Sequence, residues 1–255
     1  MRKPVSVPWI LLGPVLLLLL TQHAGAQSLG LGPGEVGLRL SMEGEGFTRV
    51  VSLFLLMTAL SLAPAFVMMM TSFTRIVIVL GFLRQALGTQ QSPSGRILSG
   101  LALFLTFFIM QPVWTEVYGR AVEPFAAGEI SEREALVRAG VPVKEFMLRQ
   151  TRENTLVLFM DMAREEPVQG PEELSMRVVV PAFMVSELQT AFQMGFLIFL
   201  PFLLIDAVAS TFLMSMGMMM LPPMMISLPF KLLLFVLVDG WEMVAAGLVR
   251  SFDAV

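Results

Sequence analysis

The stretch MSMGMMMLPPMMISLPF, residues 214–230, decides how the C-terminal part of the chain folds. It holds seven methionines, four helix-breaking residues (Gly217, Pro222, Pro223 and Pro229) and no charge. Before it, residues 188–205 are uncharged up to Asp206. After Asp206 the uncharged run continues to Phe230, and beyond Lys231 it resumes to Val238. Two apolar arms joined by a broken apolar turn predict a helical hairpin. Asp206 and Lys231 then fall at mirror positions about the turn, as do Glu187 and Arg250 farther out.

The rest of the chain fits a membrane class. It has 255 residues, 56% of them hydrophobic and 15% charged, and a mean hydropathy of +0.77. The net charge of -3 gives no basic footprint for nucleic acid. Without cysteine there is no disulfide, thiolate metal site or cysteine nucleophile. The single histidine, His23, lies in a segment with a secretory signature: Arg2 and Lys3, the apolar run PWILLGPVLLLLL, then Ala24–Gly25–Ala26. The alternative is an uncleaved first span. A short run containing Pro8, Gly13 and Pro14 favours cleavage between Ala26 and Gln27, which would leave the mature N-terminus outside the cytoplasm.

Five segments follow from this reading: a signal peptide at 1–26, a glycine-rich flexible leader at 27–46, a first helical hairpin at 47–118, a helical extracytoplasmic domain at 119–185, and a second hairpin at 186–255. In the first hairpin, residues 50–74 are uncharged, with Pro64 expected to kink or break them. The following connector carries Arg75, Arg84 and Arg96 and no acid, which places it on the cytoplasmic side. Residues 97–115 return outward. Residues 116–187 are different in kind, with eight Lys or Arg against thirteen Asp or Glu. There Ser131 with Glu134 reads as a capping box and Gly140 as a stop. Pro142 opens a second helix, closed by Pro167, with Phe146, Leu156, Phe159 and Met162 on its buried side. Ser186 with Gln189 reads as a cap for the next span.

Charges inside apolar segments are costly and need partners. Asp206 and Lys231 therefore predict a cross-hairpin ion pair. It would serve either a proton or ion step or the register of the hairpin, and the lack of further acids or histidines in line with it favours register. RQTRE, residues 149–153, reads as a solvated or subunit-facing helix surface. The methionines admit two readings as well. Met is an ordinary apolar residue in a span. Yet irregular backbone at membrane depth must be buried or line a cavity, and soft, unbranched side chains around a pore would make a deformable seal that excludes ions by dewetting. Enzyme chemistry is disfavoured: the mature chain offers no histidine base, no metal-ligand set and no phosphate-binding glycine loop. Channel or transporter subunits and structural assembly proteins remain. About four spans are too few to enclose a wide pore, so a pore would need several copies.

Long motifs carry a resemblance. FVMMMTSFTRIVIVLGFLRQALGTQQSP (66–93), FMLRQTREN (146–154), PAFMVSELQTAFQMGFLIFLPFLLIDAV (181–208), MGMMMLPP (216–223) and ISLPFKLLLFVLVDGW (226–241) resemble blocks of the FliP family of flagellar biosynthetic proteins. The match runs from about Phe47 onward, and the last blocks are shared with injectisome export-gate proteins.

The resemblance implies an all-α membrane protein of kinked helical hairpins with a small extracytoplasmic domain, forming a ring or cone as a homopentamer. With FliQ and FliR it would build the export gate of the flagellar type III secretion apparatus in the basal body, at the bacterial inner membrane. Unfolded flagellar subunits would pass through it. FlhB, FlhA and FliO are the further partners implied, and no cofactor or catalytic residue is. By similarity Met218, Met219 and Met220 form a pore gasket. Asp206 and Lys231 become a buried charge pair, and Glu187, Arg149, Arg152 and Glu153 candidates for subunit contacts. The resemblance also implies that segments reading as simple spans pack as kinked hairpins, much of them above the bilayer plane. Where this family commonly has an acid, this chain has Thr155, which puts one such contact in doubt. The runner-ups are a small-ion or metabolite channel, for which inward-facing polar residues are too few, and a scaffold without a pore, which leaves the methionine turn unexplained.

Overall fold

The computed structural model describes residues 44–89, 92–164, 173–218 and 221–253. The chain divides into two units, residues 1–55 and residues 56–255. The described part of the first is helical from Gly44. The proposed cleavage site Ala26–Gln27 and most of the leader lie outside the described residues, but helix α1, Gly44–Met69, begins inside the expected leader. Every regular element among the described residues is helical.

In the larger unit α1 continues to Met69, running through Pro64 without a break. Its residues from Leu56 onward are largely exposed and apolar, among them Leu56, Met57, Leu60 and Phe66. A turn at residues 70–72 leads to α2, Phe73–Ala86, the centre of this unit. Its buried positions Ile76, Val79, Leu80, Leu83 and Ala86 recur at helical spacing and pack most extensively on α8. After the connector, α3, Gly95–Ile109, starts at Ser94, whose hydroxyl accepts from Ile97 N. Next come α4 (Gln111–Val117), a π-helical turn (Tyr118–Val122) and α5 (Glu123–Ala126), with a bend of 56° between α3 and this group.

Helix α6, Glu132–Gln150, is capped by Ser131, whose hydroxyl accepts from Glu134 N at 3.3 Å. It runs through both Gly140 and Pro142, where the sequence predicted a stop and a restart. Pro142 is fully buried, and α6 packs on α4, the π turn and α8, so tertiary contact on both halves outweighs the lost backbone bond. The expected long second helix is instead split at Thr151–Arg152, both extended, before α7, Glu153–Ala163. At the break the Ser186 hydroxyl accepts from Arg152 N at 3.1 Å, which satisfies a donor that the interrupted helix leaves free. Ser186 is therefore not a helix start. It lies inside α8, Met176–Ser215, which Ser175 caps. Phe146 is buried and Leu156 packs on the core, whereas Met162, expected inside, is 69% exposed.

Helix α8 has 40 residues and is thus roughly 60 Å long, about twice the hydrocarbon core of a bilayer. Helix α9, Pro223–Leu237, packs back on it, and α10, Gly240–Asp253, follows a 64° bend at Asp239, whose φ is +49°. By length and composition the 50–69 part of α1 and helix α8 can each cross a membrane. The two bent pairs, α3 with α4–α5 and α9 with α10, raise the number of candidate spans to four. The second hairpin is thus a long helix against a broken one.

Helix α2 approaches α8 closely because position 195 has no side chain. A Cβ there would lie 2.4 Å from Phe82 Cδ2. The Phe82 ring instead makes edge contacts with Phe192 and Phe199, on either side of Gly195 (centroids 5.1 and 6.2 Å). Gly195→Val should lower stability in detergent by about 1–3 kcal/mol, the usual cost of overpacking, and adding Phe82→Leu should recover part of it. Thermal unfolding followed by tryptophan fluorescence measures this. A neutral Gly195→Val would mean that the helices can separate at no cost.

Candidate functional site: the methionine turn and two buried charge groups

Helix α8 ends in a left-handed cap. Gly217 takes φ +74°, Gly217 N donates to Met214 O (3.1 Å), and Met218 N donates to Leu213 O (3.0 Å). This is the paired-bond C-terminal motif that a glycine permits and a side chain disfavours. Leu221, Pro222 and Pro223 then start α9, where Pro223 at the first helical position needs no hydrogen-bond acceptor for its nitrogen. Gly217 and the two prolines thus account for the break, and no side chain of the described methionines is needed for it. Met214, Met216, Met218, Met224 and Met225 are all exposed, Met225 by 73%. Met219 and Met220 lie outside the described residues. Along the adjoining arms Leu204, Val208, Phe212, Ile226 and Phe230 line a wholly apolar groove of about 530 Å³.

Behind the turn sits the first charge group. Lys231 Nζ is 2.6 Å from Asp206 Oδ2 and also donates to the carbonyl of Ala86, the last residue of α2, at 3.1 Å. Ser227 donates to the other carboxylate oxygen, Asp206 Oδ1, at 2.6 Å. The Lys231 side chain is 5% exposed and that of Asp206 35%. This cluster ties α8 to α9 and seats both against the end of α2, whose carbonyls favour a cation. A Cβ at Gly88 would lie 3.6 Å from Leu228 Cδ1, so the α2–α3 connector and the start of α9 lie at the same end of this unit.

The sequence reading did not bring the second group together. Arg75 on α2 is 2% exposed and Glu187 on α8 fully buried. Arg75 Nε donates to Glu187 Oε2 at 2.9 Å, and Nη2 donates to Glu187 Oε1 as well as to Gln150 Oε1 (3.0 Å). Nη1 donates to both the carbonyl and the hydroxyl oxygen of Ser251, each at 3.0 Å. All five guanidinium N–H groups are therefore used. The Phe252 ring covers the guanidinium, 3.8 Å from Cζ to centroid, and Gln150 Nε2 donates to Phe252 O at 3.1 Å. Glu187 thus neither pairs with Arg250, which is exposed, nor faces outward as a subunit-contact residue should. Arg152 is half-buried and bonded within its own chain to Gln193 (2.6 Å) and Thr190 (3.4 Å). Arg149 and Glu153 are exposed, and Thr155 is buried at the start of α7. One signal did point to the Arg75 group: no acid lies between Arg49 and Glu116, so a buried partner for Arg75 had to come from far along the chain.

Comparison with known proteins adds the following. The family model described as "FliP family" matches residues 56–248. The chain is 54% identical over 220 residues to "Flagellar biosynthetic protein FliP" of Pectobacterium carotovorum, covering 86% of this chain and 85% of the relative. It is 52% identical over 212 residues to the protein of that name in Bacillus subtilis, covering 83% and 96%. With its namesake in Aquifex aeolicus the identity is 48% over 205 residues, covering 80% and 86%.

The two charge groups differ in burial, so their loss should differ in size. Glu187→Gln leaves a buried guanidinium without its counter-charge and should cost about 3–5 kcal/mol. Asp206→Asn, at a group one-third open, should cost clearly less. Protease resistance of the purified chain ranks them, and equal sensitivity of the two variants would contradict the assignment. Exchanging the pair (Asp206→Lys with Lys231→Asp) should restore stability lost in Lys231→Met if the two act as a pair. A swap as defective as the single change would show that they act separately.

Proposed function

This chain belongs to the FliP family, and we propose that it is a flagellar biosynthesis protein that forms the conduit of a protein-export gate in the bacterial inner membrane. Several copies, a homopentamer by family resemblance, surround the path. FliQ and FliR complete the gate, FlhB, FlhA and FliO attend it, and unfolded flagellar subunits pass through. The mature chain starts at Gln27 after removal of a signal peptide. Its role is to hold a passage and keep it shut, with no catalytic residue.

The observation that carries this reading is the methionine turn. A lone chain has no reason to display five methionines on a turn that Gly217 and two prolines already fix. Exposed apolar surface of this kind is an interaction site. When copies are arranged about an axis, the turns meet, and Met218, Met219 and Met220 close the centre. Thioether side chains have no branch at Cβ and little rotamer preference, so the ring can fill an irregular gap and later part around a polypeptide. Closed, it leaves ions a dewetted apolar constriction. The Asp206–Lys231–Ser227 cluster fits a structural role beside it: it joins both arms of the turn to α2, so the soft tip is held by a firm base.

Replacing Met218, Met219 and Met220 together with Ala should leave the assembly intact and raise the ion conductance of the resting membrane. Planar-bilayer recordings of the purified complex measure it. A complex of normal mass with unchanged conductance would sink the gasket.

A further inference from the structure

We infer that Arg84 and Arg96 together form a binding site for an anionic phospholipid headgroup at the α2–α3 connector. This rests on the membrane reading above and extends it to lipid specificity. Residues 50–115 contain three cations and no acid. Arg75 is neutralised inside the protein by Glu187. Arg84 and Arg96 make no ion pair among the described residues, although Arg138, Arg120 and Lys231 all do. They come from different helices, but the Arg84 head reaches the start of the next one: its Nη1 lies 3.7 Å from where a Cβ of Gly95 would stand, and Arg96 is the following residue. Arg84 is half-buried and Arg96 exposed, so the pair stands at the surface with its charge unspent.

The surroundings select the ligand class. Directly after Arg96 the outward face of α3 is apolar: Ile97 is 63% exposed, Phe104 77% and Phe108 63%. Two arginines at the head of an apolar helix face match a phosphate head above acyl chains, and basic side chains at such places recognise anionic lipids. Arginine suits the task because its planar fork bonds phosphate oxygens two at a time. A soluble anion would use the cations and leave the apolar face uncovered. A lipid covers both.

The test uses the full chain purified with its co-expressed partners in nonionic detergent. Native mass spectrometry counts retained lipid during titration with dioleoylphosphatidylglycerol, with dioleoylphosphatidylcholine as the neutral control and inorganic phosphate as competitor. At about one kcal/mol per basic residue, each arginine contributes roughly fivefold, so Arg84→Gln with Arg96→Gln should lose on the order of 25-fold in preference for the anionic lipid. Arg84→Lys with Arg96→Lys should keep most of it, which separates loss of charge from misfolding. High salt should weaken retention in the wild type and the lysine variant but not in the glutamine variant. The proposal is overturned if the glutamine variant keeps the preference, or if millimolar phosphate displaces the lipid. It is equally overturned if the variant loses a bound protein partner while lipid retention stays unchanged, which would make the patch a protein contact. Recovery of the wild type outside the membrane fraction would count against the membrane reading itself, a different failure from loss of lipid selectivity.

Discussion

The fold depends on keeping one guanidinium solvated without water. Arg75 is sealed between α2 and α8, where an unpaired charge is prohibitive. Its five donors are met by Glu187, Gln150 and Ser251, and its face by Phe252. Those acceptors come from α8, the end of α6 and the end of α10. Satisfying Arg75 therefore fixes the positions of four helices at once, and Phe146 and Phe183 pack in the same region (centroids 6.0 Å). Such a group adds little net stability over an apolar core, but it penalises every arrangement in which one of its members is displaced.

The two charge groups divide the work. The Arg75 group locks α2, α6, α8 and α10 together. The Lys231 group only pins the α8–α9 hairpin to the end of α2, and beyond it the turn is held by backbone bonds and prolines. The apolar groove and the exposed methionines lie past this last polar tie. A unit tied by many polar bonds in one part and by few at one tip suits the gate proposed above, in which a seal would deform while its mounting would not.

Local patterns were legible in the sequence where both partners lie near each other in the chain or in one element. The hairpin turn was readable from Gly217 and Pro222–Pro223, and the mirror spacing of Asp206 and Lys231 about it put them within reach. The Ser131 cap was legible because the motif is closed within four residues. Long-range polar partnerships were not. Ser186 looked like a cap by spacing, yet it lies inside α8 and its hydroxyl accepts from the backbone of Arg152, at the break between α6 and α7. Gly140 and Pro142 looked like breaks, but burial of Pro142 holds the helix through them. Glu187 read as a mirror partner of Arg250 and a subunit-contact candidate because its partner Arg75 is 112 residues away. Bends were only half legible: Asp239–Gly240 marks the end of the apolar run in the sequence, but nothing in the hydropathy gives the 64° turn that α10 makes there.

The central claim is that this chain builds a multi-copy conduit with its family's partners. Co-expression with FliQ and FliR, mild extraction and native mass spectrometry of the intact complex test it directly. The account predicts a homopentamer of a chain beginning at Gln27 with both partners bound. A monomer or dimer without partners, still carrying Met1, would contradict it.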